Sequence, residues 1–269
     1  MILDPAFDAV DAWRPAELGP APFWRGHLPF AGFLIALQKP QTVLELGVQN
    51  GDSLLAFANA MAAHGPTGGR VIGVDAWEGD VHVGAQADWI HDRVRALTCR
   101  FGEAVSLRRA YFADAARDIP DGSIDLLHLD GTHTADAARA DLDLYLPKLS
   151  ARGVVVMHDI AVFRQDFGVW KVWLDAKAGR PHFSFAHSCG HGVLGAGNAL
   201  DEGVIKFLTL ADAERARLRK IFSRLGLLAF LERTAPGDHA RVLPIGAIAP
   251  PCEVAEDAEF SAALAAGRW

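Results

Sequence analysis

Thr42-Val43-Leu44-Glu45-Leu46-Gly47-Val48-Gln49-Asn50-Gly51-Asp52-Ser53 decides how the rest of the chain is read. An apolar run carrying one acid meets a turn with two glycines. Asp52 and Ser53 then supply helix-capping side chains, and Leu54, Leu55, Phe57, Ala58 and Met61 follow at helical spacing. Strand, glycine turn and helix in this order bring backbone N–H groups and a helix N-terminus to the carboxyl edge of a sheet, where ligands bind. Gly47 and Gly51 lack a Cβ, so the chain can turn sharply and a ligand can approach closely. The plainer reading, a turn with glycines for sterics alone, loses ground at the next strand. Arg70-Val71-Ile72-Gly73-Val74-Asp75 also ends in a carboxylate, where doubly wound folds grip a ribose.

The alternation continues outward from there. A polar loop over residues 76–84, with Trp77, Asp80 and His82, lies beside the presumed ligand edge and is a place for specificity. A helix is expected over 86–100 and a third strand over 106–112, ending at Ala113-Asp114. The fourth strand, 124–129, ends at Asp130-Gly131-Thr132-His133, and its helix, 135–146, is closed by Pro147. The fifth, 153–157, ends at His158-Asp159; a helix over 167–178 and two short runs, 182–187 and 192–196, follow, the runs forming an antiparallel hairpin. The expected fold is α/β, a doubly wound, mostly parallel seven-stranded sheet with a late antiparallel hairpin. Residues 1–40 form a lead-in with a cover helix near 29–38, residues 41–200 the core, and 201–269 a mainly helical extension suited to self-association. In that extension Thr209-Leu210-Ala211-Asp212 reads as a capping box for a helix through Leu225, with Gly226 as its stop.

Composition narrows the function. The net charge of −7 argues against a nucleic-acid binder. Arg215, Arg217, Arg219 and Lys220 cluster around Glu214 and read as a solvated helix face. Cys99, Cys189 and Cys252 have no metal spacing and suit a reducing cytoplasm. No basic-then-apolar signal pattern opens the sequence, and the apolar run 28–37 is too short to span a membrane.

Val43-Leu44-Glu45-Leu46-Gly47 with Gly51, then Gly73-Val74-Asp75, Ala113-Asp114 and Asp125 to Asp130, resembles the class I S-adenosylmethionine-dependent methyltransferases. Leu129-Asp130-Gly131-Thr132-His133, Asp141-Leu142 with Leu146-Pro147-Lys148-Leu149, and Gly153-Val154-Val155-Val156-Met157-His158-Asp159 are similar to one branch. It comprises bacterial methyltransferases found beside glycosyltransferases and surface-polysaccharide genes, related to macrolide-sugar O-methyltransferases and cephalosporin-hydroxylase-like proteins. Gly26-His27-Leu28-Pro29-Phe30 and Phe167-Gly168-Val169-Trp170 fit that branch too, and the resemblance covers about residues 26–197. It implies a Rossmann-like methyltransferase sheet, S-adenosyl-L-methionine as cofactor, and a cytoplasmic enzyme acting on a hydroxyl of a small or carbohydrate-like acceptor.

Roles follow residue by residue. Asp75 has two acceptor oxygens for the two ribose hydroxyls, and Asp114, after Ala113, can accept from the adenine amine. The resemblance implies that Glu45 and the Gly47–Gly51 backbone face the methionine portion, with Ser53 adding a hydroxyl. A nicotinamide dinucleotide is the rival cofactor, but 47–51 does not match G-x-G-x-x-G. Methyl transfer to a hydroxyl needs a base or a metal. His133, just past Asp130, is the preferred base. Asp130, His158 and Asp159 resemble the position where relatives hold a divalent cation; His158 stands where an oxygen ligand is usual, which favours manganese over magnesium. The plainer alternatives are acids that cap helices and a histidine that hydrogen-bonds its own loop. His82, Asp80 and His27 are weaker acceptor-site candidates, and His187 and His191 are placed at the entry. Two other classes stay open: a non-catalytic cofactor-binding or assembly protein of a surface-glycan pathway, and a hydrolase or oxygenase with a metal at Asp130, His133, His158 and Asp159.

Overall fold

The computed structural model describes residues 6, 23–164, 166–233 and 252–266. A turn of 3-10 helix, Arg25–His27, leads into α1 (Leu28–Gln38). β1 (Thr42–Leu46) is buried at every position, as a parallel strand covered on both faces must be. Gly51, in the left-handed region at φ 84°, caps α2 (Asp52–His64). β2 (Arg70–Asp75) is followed by a small antiparallel pair, β3 (Gly79–Asp80) with β4 (Gly84–Ala85), then α3 (Asp88–Thr98) and β5 (Val105–Arg109). After the short α4 (Phe112–Ala115) come β6 (Ile124–Leu129), α5 (Ala135–Tyr145), β7 (Leu149–His158) and α6 (Val169–Lys177). β8 (His182–Phe185), β9 (His191–Gly195), α7 (Glu202–Leu208), α8 (Asp212–Arg233), α9 (Cys252–Glu256) and α10 (Ala258–Ala266) complete the order.

The main sheet has seven strands in the order β5-β2-β1-β6-β7-β9-β8. β1 pairs in parallel with β2 on one side and β6 on the other, so the strand order reverses about β1 and opens a crevice at the carboxyl ends. β9 runs antiparallel to both of its neighbours. The expected doubly wound sheet with a late hairpin is the observed one. One face is packed by α1, α2 and α8 residues such as Phe33, Phe57 and Phe222, the other by α6 and α10 residues such as Trp173 and Phe260.

Four local expectations change. β5 stops at Arg109, and Ala113 and Asp114 lie in α4 rather than at a strand end. The Thr209 hydroxyl donates to the Ile205 carbonyl (2.7 Å), finishing α7, and does not cap α8. α8 runs through Gly226 instead of ending there. The basic cluster divides: Arg217 and Lys220 are exposed with Glu214 as a solvated face requires, but Arg215 and Arg219 are buried and donate to the main-chain carbonyls of His182 and Ser184, and both meet the Glu259 carboxylate of α10. Spaced four residues apart, the two guanidiniums share one helix face, which the C-terminal helix covers.

Gly226 is glycine because of a close approach. A Cβ there would sit 2.2 Å from the Gly26 carbonyl oxygen. Gly226→Ala gains about 1 kcal/mol of helix propensity, yet it drives α8 off the turn that leads into α1. The expected result is a lower Tm; a higher Tm would show that the two backbones separate freely.

Candidate functional site

A cleft of about 650 Å³ opens at the carboxyl edge, lined among others by Gly47, Asp75, Ala113, Asp130, His133 and Asp159. Gly47 (φ 92°) needs to be glycine: a Cβ would lie 1.9 Å from the Asp130 carbonyl oxygen. Gly51 and Ser53 also line the cleft.

Asp75 is tied into its wall. Oδ2 accepts from the Gln49 N–H (2.8 Å) and Oδ1 from the Trp77 N–H (2.6 Å), and the Trp77 indole N–H donates back to the Gln49 carbonyl (3.0 Å). Each carboxylate oxygen keeps a lone pair for a ligand hydroxyl. Burial pushes the Asp75 carboxyl up despite these backbone donors. Trp77 itself is buried, a brace for the glycine turn rather than an exposed specificity residue.

Glu45 does not line the cleft. It is fully buried, accepts from the Ser53 hydroxyl, and lies 3.1 Å from His128 Nδ1. His128 Nε2 accepts the Trp24 indole N–H (3.2 Å), so Nδ1 carries the ring proton and donates to Glu45. Burial raises the Glu45 pKa, with His128 and Ser53 opposing. Glu45 reaches the cleft only through Ser53, whose hydroxyl is already used. Asp114 is likewise outside the lining: it is half-exposed and paired with Arg117 at 3.1 Å, while Ala113 beside it forms the wall.

The same cleft gathers Asp130, His133, His158 and Asp159. His133 Nε2 is 2.7 Å from Asp159 Oδ2 and 3.8 Å from Asp130 Oδ1. His158 Nδ1 is 3.2 Å from Asp130 Oδ1 and 3.5 Å from Asp159 Oδ2, and its Nε2 donates to the Ser188 carbonyl (3.1 Å). The His133 ring stacks on Phe167, centroids 4.7 Å apart. Burial works against charge on both imidazoles, but the two carboxylates outweigh it: His133 is raised to about 10 and His158 well above its ordinary value. Asp159 and Asp130 are correspondingly held down by the imidazoles, against their own burial. One ligand atom each from Asp130, His133 and Asp159 lie within 4.8 Å of one another, a set that could hold a metal ion.

His187 and His191 do not line the entry. With His27 they are buried behind the corner; His27 Nε2 also donates to the Ser188 carbonyl (3.0 Å), and the His27 and His191 rings are 4.2 Å apart. Tyr111 and Phe112 of the cleft wall were not singled out by the sequence reading. An aromatic pair before Ala113-Asp114 was the available signal.

Residues 44–160 match the family model described as a methyltransferase domain. An uncharacterized protein of Sinorhizobium fredii, y4gI, is 37% identical over 203 residues, 75% of this chain and 22% of that one. A Streptomyces olivaceus protein named 8-demethyl-8-(2,3-dimethoxy-alpha-L-rhamnosyl)-tetracenomycin-C 4'-O-methyltransferase is 29% identical over 145 residues, 46% of this chain and 54% of that one. The chain thus spans about a fifth and about half of the lengths of these relatives. Among solved structures, an O-methyltransferase from Bacillus cereus in complex with SAH has a TM-score of 0.50 at 15% identity, over 72% of this chain and 89% of that one. The SAH-bound Podospora anserina methyltransferase PaMTH1 has a TM-score of 0.50 at 14% identity, over 71% and 87%. These structural likenesses bear on the fold.

Proposed function

We propose, from the premise that residues 44–160 are a methyltransferase domain, that the chain is an S-adenosylmethionine-dependent O-methyltransferase acting on a hydroxyl of a small, carbohydrate-like acceptor. One observation carries this: a single cleft is lined both by the Gly47–Gly51 turn with Asp75 and by Asp130, His133 and Asp159. The first set suits a nucleoside with an amino-acid arm, and the second suits an oxygen that must lose a proton. The name of the Streptomyces relative, which specifies a sugar hydroxyl, supports the acceptor class.

The bound cofactor supplies a sulfonium methyl; binding and proton handling fall to this chain. Asp75 accepts the ribose hydroxyls, and the glycine turn leaves room beside the Asp130 backbone. Asp159 and Asp130 hold His133 as an imidazolium, its Nε2 an N–H donor to Asp159. The ring becomes a base only where a ligand or cation engages those carboxylates and releases that proton, and Nε2 would then take the acceptor's proton. The donor set also fits the implied divalent cation. His158 has its Nε2 on a carbonyl, the usual outer partner of a metal-bound imidazole, and its Nδ1 among two carboxylates. Asp130, His158 and Asp159 would hold the ion in place of the His158 proton. When bound it would polarise the acceptor oxygen, and the imidazole favours Mn over Mg.

Calorimetry should show binding of S-adenosylmethionine and S-adenosylhomocysteine, and a labelled methyl donor offered with a panel of nucleotide sugars and deoxysugar glycosides should give product. Absence of cofactor binding at millimolar ligand overturns the reading. Asp75→Ala is expected to weaken cofactor binding by about 1–3 kcal/mol through the lost hydroxyl contacts. An unchanged Kd removes Asp75 from that role.

A further inference from the structure

Outside the strand-end corner, the small β3–β4 hairpin brings a second set of donors over the cleft. One ligand atom each from Asp80, His82 and His133 lie within 4.8 Å of one another. The Nδ1 atoms of His82 and His133 are closed to water and make no hydrogen bond. The His82 side chain is 5% exposed. Buried polar atoms without partners are rare and costly in folded proteins, so two in one place call for an occupant.

The remaining contacts say what kind. His133 has Asp159 on its Nε2 at 2.7 Å, and His82 has Asp166 Oδ2 3.2 Å from its Nε2. A carboxylate on the far nitrogen fixes the ring and makes the near nitrogen a better donor, the arrangement that surrounds metal-bound imidazoles. Asp80 Oδ1 accepts from the His82 and Val83 N–H groups (2.8 and 2.9 Å), which fixes the turn, and the Thr132 side chain also bonds Asp80. Asp80 Oδ2 lies 4.0 Å from His82 Nδ1. A tetrahedral ion with bonds of about 2.0–2.1 Å needs donor atoms roughly 3.3 Å apart, so a small side-chain adjustment closes the set.

We propose that Asp80, His82 and His133 form a second cation site, for a first-row transition ion of the Zn²⁺ type, pinning the β3–β4 hairpin to the His133 loop across the cleft. Two imidazoles and one carboxylate select such an ion over Mg²⁺ or Ca²⁺. With an ion on Nδ1, the Nε2 of His133 stays an N–H donor, so this site and the general-base role exclude each other. Binding is therefore read directly and not through turnover.

The test is titration of the metal-stripped full chain with Zn²⁺ by calorimetry and with Co²⁺ by its visible bands, which report tetrahedral coordination. Wild type should bind an equivalent that His82→Ala and Asp80→Asn each weaken by more than ~10-fold, in line with losses seen on altering metal surroundings. Asp130→Asn should retain it. S-adenosylhomocysteine binding by the same samples reports an intact fold, and Asp80→Asn keeps the turn-fixing Oδ1. No ion bound by wild type, a stoichiometry and affinity left unchanged by both hairpin substitutions, or an Asp130→Asn variant in which His82→Ala causes no further loss would each overturn the proposal. None of these results bears on the methyltransferase reading, which stands or falls on cofactor binding and product.

Discussion

His133→Ala is expected to lower kcat by a factor on the order of 10²–10⁴, the range a positioned general base contributes, while leaving the Kd for S-adenosylhomocysteine unchanged. The His133 ring meets Asp130, Asp159, the Phe167 ring and the His82 ring and makes no contact of its own with the Gly47–Gly51 turn or Asp75 among the described residues. Loss of the imidazole should therefore act on the chemical step and not on donor binding. His133→Gln, which can donate but is no base, should not restore the rate. Asp159→Asn should fall between His133→Ala and wild type, since it keeps the imidazole and removes the carboxylate 2.7 Å from Nε2. Equal losses in cofactor affinity and in kcat would instead show that His133 holds the loop together. Steady-state kinetics with calorimetry on the same preparations separates these results.

The centre of the sheet was legible because β1, β2, β6 and the buried half of β7 are nearly continuous apolar runs with glycine or an acid at the carboxyl end, and parallel burial demands that pattern. The same punctuation made Asp75, Asp130, His133, His158 and Asp159 stand out. It failed where a residue answers to a partner far off in sequence. Glu45 has the look of a strand-end acid, yet its partner His128 is 83 residues away and turns it inward. Asp114 reads as a strand end because it follows the expected third strand, 106–112; the chain instead leaves the strand at Arg109 and enters a helix at Phe112, with Tyr111 as its N-cap. Gly226 looks like a helix stop, and only the neighbouring Gly26 backbone explains it. Arg215 and Arg219 read as solvated until Glu259, 44 and 40 residues on, supplies their counter-charge.

The buried histidines are the part of the interior least legible in sequence, and His191 gives the sharpest consequence. It is 1% exposed, neither ring nitrogen has a hydrogen-bond partner, and Trp24, His27, Phe30, His128 and His158 surround it. Burial first, then the neighbouring His128, His158 and His187, hold its pKa well below 6.5. In the unfolded chain the same ring titrates near 6.5. Below that pH the unfolded state binds a proton that the folded state refuses, so this group's contribution falls as pH falls. His191→Leu removes the refusal. The stability difference between variant and wild type should therefore move in the variant's favour, with a slope approaching about 1.4 kcal/mol per pH unit well below 6.5, and by about 2 kcal/mol between pH 6.5 and 4.5. Any repacking cost of the substitution is the same at every pH and leaves the slope alone. Glu45 and Asp141, both raised by burial, titrate with the opposite sign in part of this range, but they are present in both proteins and cancel in the difference. Urea denaturation of the pair at several pH values measures it. A difference that does not change with pH would mean that His191 takes up its proton as readily folded as unfolded, and the dry imidazole cluster behind the cleft would have to be abandoned.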